Sequence, residues 1–444
     1  MTAPGDHTTA GVHGPFRSWS QPRTVSQHVD LLVTALSTRV LGSETVRVTE
    51  ALHRVLLEDF PAPSDLPRFD DSQMDGFAVS SAATPGTFDV VGMHPAGHQG
   101  EAVSAGEATA IMTGAPVPPG ADAVVPVEAT DGFDAPTIRL DAVPAGQFVR
   151  HRGSDIREGD RALVADAPLT AASLGVLAAF GLTEVQVRAR PRVLIVAGGD
   201  EVAAPGETLG PGQLYDANTA LLTAVLRSAG AAVVDSLVVS DTVEDFRVAL
   251  SERVRAVDPD LVVTSGGISA GRFEVVQQSL SQDADLDGYT PLVGFGSIAM
   301  QPGGPQGAGV LRCEEGNSVP IVCFPGNPVS TWISAHVLLR DALSRAWSTC
   351  APARRVTAAL VEEITPLPTR TQMRRARLDA GPADEAGSAD DVALAAPSAV
   401  LRVRALAGTS SHLLATAARA DCLIVVPPGD RPLPAGTPLE VVLL

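Results

Sequence analysis

The chain has 444 residues, 45% of them apolar and 19% charged, which is enough for several buried cores and predicts about three or four domains. With 32 basic against 51 acidic side chains the net charge is −19, which excludes nucleic-acid binding through a basic surface and leaves any anionic substrate to local dipoles and a few arginines. No run reaches the ~20 apolar residues of a membrane span, no apolar signal-peptide core opens the chain, and Cys313, Cys323, Cys350 and Cys422 lack paired spacing, so a cytoplasmic protein with scattered thiols is expected.

Residues 1–24, rich in Gly, Thr, Pro and His, read as a disordered tail. Val29, Leu31, Leu32, Ala35 and Leu36 recur at helical spacing and predict a helix over 25–39. Thr49 is placed to cap a second helix that Pro61 and Pro63 end. Residues 80–144 show short alternating segments broken by Gly and Pro, as in a small β domain. Helical pattern returns at 170–180, with Gly181 as its C-terminal cap. Residues 25–79 and 145–190 therefore read as one discontinuous, elongated helical linker domain with the β unit inserted.

Beyond residue 190 the period changes. Strand-like runs at 193–197, 232–239, 261–264 and 319–324 alternate with helical patterns at 217–228, 243–257 and 329–344, which predicts a central, open, mostly parallel α/β sheet domain over 191–350. Residues 351–444 revert to β alternation at 356–361, 399–404, 422–426 and 439–443, a C-terminal β domain with an acidic hairpin tip at 381–391. The nine histidines show no metal-ligand spacing.

Two turns carry chemistry. One apolar run enters Ser265, Gly266, Gly267, Ile268 and Ser269; another enters Pro325, Gly326, Asn327 and Pro328; a helical pattern follows both. Glycine lets a ligand approach the backbone, and N–H groups at a helix start favour negative charge. Two such turns at the carboxyl end of one sheet suggest a phosphorylated small molecule as ligand.

Further segments join these in a resemblance. Phe69 to Val79 (FDDSQMDGFAV), Thr113 to Val125 (TGAPVPPGADAVV), Arg150 to Asp160, and Tyr215-Asp216-Ala217-Asn218 are similar, with the two turns and in the same order, to the motifs of the molybdopterin molybdenumtransferases, the molybdenum insertase family shared with the E domain of gephyrin. The resemblance runs from about residue 25 to residue 444. It implies a four-domain homodimer whose active cleft lies between the α/β domain of one subunit and the β domain of the other. It implies insertion of molybdate into adenylylated molybdopterin with release of AMP, Mg²⁺ being present.

On that resemblance Asp75, Asp155, Glu201, Asp241 and Glu274 are the catalytic candidates, and Asp200 with Glu201 the Mg²⁺ ligands, carboxylates at a strand end being suited to that ion. Thr113, Arg150, Ser265, Gly266, Gly267, Ser269, Arg272, Gln301 and Pro325 to Pro328 are the substrate-binding candidates. Each has a plainer reading as turn, cap or surface ion pair. The chain also departs from the pattern. Ala197 and Gly198 stand where the family has Ser and Thr, Ser154 where it has Glu, and Arg272 and Glu274 where it has Glu and Asp. Gln301 and Gly304 replace two lysines, and no lysine occurs anywhere in the sequence. Losing a charged donor costs about 1.5–3 kcal/mol, and Arg272 is the candidate to restore one charge. Two functions stay open at this point: a molybdenum insertase with a rearranged anion site, or a non-catalytic or altered-specificity paralogue that binds a molybdopterin-like ligand or a partner protein.

Overall fold

The computed structural model describes residues 15–98, 100–269, 274–281, 284, 286–313, 318–350, 352–379 and 401–444. The hairpin tip expected at 381–391 lies outside them.

The α/β domain holds the expected four parallel strands, in the order Ala232–Val239, Arg192–Gly198, Leu261–Ser265 and Val319–Phe324. Pro305–Cys313 and Tyr289–Ser297 extend the sheet as an antiparallel hairpin. The two central strands are apolar along their length because both faces are covered. Val193 and Ile195 point into one core, under helix Asn218–Ser228 and the run Pro328–Trp347. Leu194 and Val196 point into the other, under helix Val243–Val257. Register pairs Ala197 with Ser265, Ser265 with Phe324, and Gly198 with Val239. The turns that follow these strands therefore line up along one edge of the sheet.

The N-terminal region differs from expectation. Helix Val25–Leu36, capped by Thr24 and Gln27, packs into the α/β core rather than the linker. Residues 15–24 are not a free tail: Phe16 is buried, and the Trp19 indole donates to the Ser297 carbonyl at 2.7 Å. Gly294 and Gly296 make the room, since a Cβ at either would lie 2.5–2.6 Å from Arg17 or Trp19. The linker has little helix. It is built from the ribbons Ser43–Arg47 with Glu184–Arg188 and Phe60–Pro61 with Arg161–Leu163, plus helix Ala171–Ala179 capped by Thr170. The helix expected after Thr49 is a single 3₁₀ turn, Val48–Glu50, because strand pairing holds residues up to Arg47 and His53 turns the chain at φ 63°.

Gly76–Val79 opens the inserted sheet of five strands, so that unit begins slightly before residue 80. In the C-terminal domain Thr371–Asp379, Arg402–Ala405, Arg355–Leu360, Pro438–Leu443 and Cys422–Val426 pair in turn and close on themselves as a small barrel. Met300–Gln301 adds beside Thr371 and Gln372, which ties the α/β domain to the barrel. No helix among the described residues is long and apolar enough to cross a membrane.

Candidate active site

The aligned strand ends frame a cleft of about 600 Å³. Its floor is backbone. Gly266 has φ +98° and Gly267 φ +62°, values open to glycine. A Cβ on Gly326 would lie 3.2 Å from the Gly266 Cα, so the two glycine turns touch because neither carries a side chain. The Gly266 N–H is spent on the Phe324 carbonyl at 3.0 Å, so Gly266 provides close approach rather than a donor. The Ser265 hydroxyl and the Asn327 Oδ1 are buried without a hydrogen-bond partner among the described residues. Asn218 donates from Nδ2 to the Gly326 carbonyl at 2.8 Å and fixes the second turn. Thr331 donates from its hydroxyl to the Pro325 carbonyl at 2.6 Å.

Carboxylates stand around this floor: Glu201, Asp241 and Glu274 all line the cleft. Asp200 and Asp241 lock two strand ends together, each carboxylate accepting from the other's backbone N–H at 3.2 Å. Asp200 thereby supports the lip without lining it. Glu274 closes the first turn, accepting from the Ser269 N–H at 2.7 Å and from its hydroxyl. The described lining contains no arginine. Arg272 lies outside the described residues.

The remaining candidates sit elsewhere. Asp75 is on the turn that enters the inserted sheet, and its Oδ1 accepts both the Thr113 N–H and hydroxyl at 2.7 Å. Those two bonds, the backbone one first, hold the exposed Asp75 carboxyl below its usual range. Arg150 is paired with Asp71 at 2.8 Å, and Asp155, five residues on, is exposed. None of Asp75, Thr113, Arg150 or Asp155 lines the cleft of its own chain. Gln301 lines a small hollow with Gln372, Arg375 and Thr409 and is not part of the cleft lining.

Comparison with known proteins decides the family. The model of the MoeA N-terminal region (domain I and II) matches residues 23–181, that of the probable molybdopterin binding domain 194–345, and that of the MoeA C-terminal region (domain IV) 357–444. Molybdopterin molybdenumtransferase 2 of Mycobacterium tuberculosis is 40% identical over 94% of this chain and 99% of its own. The chain belongs to the molybdopterin molybdenumtransferase family. Molybdopterin molybdenumtransferase 1 of the same organism is 31% identical over 90% of this chain and 94% of its own. A molybdopterin biosynthesis MoeA protein of Pyrococcus horikoshii shares the fold at TM-score 0.73 and 25% identity, over 95% of this chain and 99% of that one.

One lining residue of this family member escaped sequence reasoning altogether. His412 reaches the cleft from the C-terminal domain, with Nδ1 2.6 Å from the Ser410 hydroxyl. Arg375, buried in the barrel wall, shapes that loop by donating to the carbonyls of Gly408, Ser410 and Leu413 at 2.7–3.2 Å. No local spacing announces His412; only barrel closure carries it to the cleft.

Proposed function

We infer that the protein inserts molybdate into adenylylated molybdopterin, releasing AMP, as a step of molybdenum cofactor biosynthesis in the cytoplasm. The observation that carries this reading is the cleft floor, two side-chain-free turns in contact beneath a rim of carboxylates, in a chain matched along nearly its whole length by transferases. The transferase names of those relatives speak against the non-catalytic alternative.

The chemistry breaks the phosphoanhydride bond between the pterin phosphate and adenylate, and water completes AMP. The two dithiolene thiols bind the molybdenum, and their two protons leave with one molybdate oxygen as water. In this chain the bare turns let a phosphate close to the backbone, with Gly267 and the helix start at Pro328 as the anion-facing groups. The Ser265 hydroxyl and the Asn327 amide oxygen stand ready for N–H and O–H groups of a polar ring system.

Magnesium fits this donor set. The ion is usually held by one or two carboxylates with water and substrate phosphates, and Glu201 and Asp241 both line the cleft. Asp200, committed to the Asp241 backbone, serves as their brace. Bound there, Mg²⁺ would neutralise pyrophosphate charge beside this acidic rim.

The Asp75 cluster completes the site from a second copy in a homodimer, the arrangement that the resemblance implies. Asp75, kept ionised by Thr113, is then the group to position water or molybdate, with Arg150 and Asp155 at the same edge. The reading is tested by supplying purified protein, adenylylated molybdopterin, molybdate and Mg²⁺ to an apo-molybdoenzyme. Molybdate-dependent restoration of its activity supports the reading; restoration that ignores added protein contradicts it.

A further inference from the structure

A second cavity, of about 450 Å³, lies away from the cleft where the linker meets the α/β domain. One wall is the turn around His53 with Arg188 to Arg190; the other is the end of helix Asn218–Ser228 with the segment after Trp347. Gly230 allows this closure: a Cβ there would meet the Thr349 carbonyl at 2.3 Å.

The lining is cationic in a chain of net charge −19: Arg54, Arg188, Arg190, Arg227 and Arg340 surround it, and no carboxylate does. Glu44 pairs with Arg54 at 2.5 Å and Asp166 with Arg188, both from outside the lining. Among the described residues Arg227 and Arg340 enter no ion pair. The Nε groups of Arg188 and Arg340 are shut off from water with no hydrogen-bond partner among the described residues. Like charges gathered in a partly closed space repel one another, and an unmet charged donor costs more than a neutral one. An anion among them removes both costs. Guanidinium forks match the paired oxygens of a phosphate group.

We propose that this cavity is a binding site for a phosphate-type oxyanion, distinct from the cleft, that ties the linker to the α/β domain. The proposal is independent of the reaction assigned to the cleft.

The test is calorimetric titration of the full-length protein with pyrophosphate in EDTA, which removes metal-assisted binding at the cleft carboxylates. Wild-type protein is expected to bind saturably, and more weakly as salt is raised. Arg227→Gln with Arg340→Gln should weaken binding at least about tenfold and abolish the ligand-induced rise in melting temperature. The exposed Arg227→Gln alone should weaken it several-fold, which keeps the test open if the double variant folds poorly. Tighter binding of AMP than of inorganic phosphate and pyrophosphate identifies a nucleotide as the source; equal binding identifies the free oxyanion. The proposal is overturned if no saturable binding is seen, or if the arginine substitutions leave it intact. It is equally overturned if Arg227→Glu dissociates an oligomer that pyrophosphate does not touch, because a second copy's carboxylates then fill the cavity.

Discussion

Replacing Gly266 by alanine probes the contact on which the cleft depends. The residue has φ +98°, beyond even the left-handed helical region, where an L side chain costs about 1–3 kcal/mol. The new Cβ would also lie 3.1 Å from the Gly198 carbonyl oxygen and 3.9 Å from the Gly326 Cα. The oxygen belongs to a strand end and cannot rotate aside as a side chain could, so the strain moves the loop. Gly267 and the opposing turn then shift away from the ligand. Pterin affinity, measured by calorimetry, should fall at least about tenfold for each 1.4 kcal/mol of strain released on the loop. Melting temperature should drop by only a few degrees. Gly304→Ala is the matched control, because its Cβ meets nothing closer than 3.5 Å. Unchanged pterin affinity in Gly266→Ala would refute the reasoning that the bare turns form the binding floor.

The room at Gly304 makes a second substitution informative: Gly304→Lys should fold normally and strengthen molybdate binding about tenfold or more, read by competition calorimetry. Asp75→Asn and Asp241→Asn should each abolish turnover, yet co-expressed subunits carrying one change each should regain part of it if the site spans two copies. His28 is fully buried with both ring nitrogens unpartnered, and burial first, then the Arg23 charge, push its pKa from 6.5 down to about 3. Folding favours its neutral form, so its contribution is complete above pH 6.5 and is lost as pH falls toward 3. At pH 5 that loss is about 2 kcal/mol, and His28→Leu should flatten the fall in melting temperature between pH 7 and pH 4.5. Burial pushes the Cys323 thiol up to about 12, so it should resist alkylation at pH 8 until the protein unfolds.

The α/β domain was the most legible part of the sequence, because strands buried on both faces are written as unbroken apolar runs such as 261–264 and 319–324. Helix Val243–Val257 matched its pattern to the residue. Strand Thr371–Asp379 was not legible: Arg374, Arg375 and Arg377 interrupt its alternation, and its place depends on barrel closure with distant strands. The hairpin Tyr289–Ser297 and Pro305–Cys313 was hidden by its glycines, which are there to admit Trp19 and Phe295. Sequence motifs named both groups of site residues and the resemblance set them on different domains, and none of Asp75, Thr113, Arg150 or Asp155 lines the cleft of its own chain. His412 had no motif, since its position comes from tertiary closure alone. The two-carboxylate brace of Asp200 and Asp241 likewise joins strand ends 41 residues apart.

Insertion at this cleft is tested most directly by single-turnover release of AMP from adenylylated molybdopterin by the purified protein, with Mg²⁺, in the presence and absence of molybdate. The expected result is release that depends on molybdate, yields active cofactor and is lost in Asp241→Asn. Tight pterin binding with no molybdate-dependent release would contradict it, and would mean that a cleft without its two lysines holds the ligand but no longer carries out the insertion.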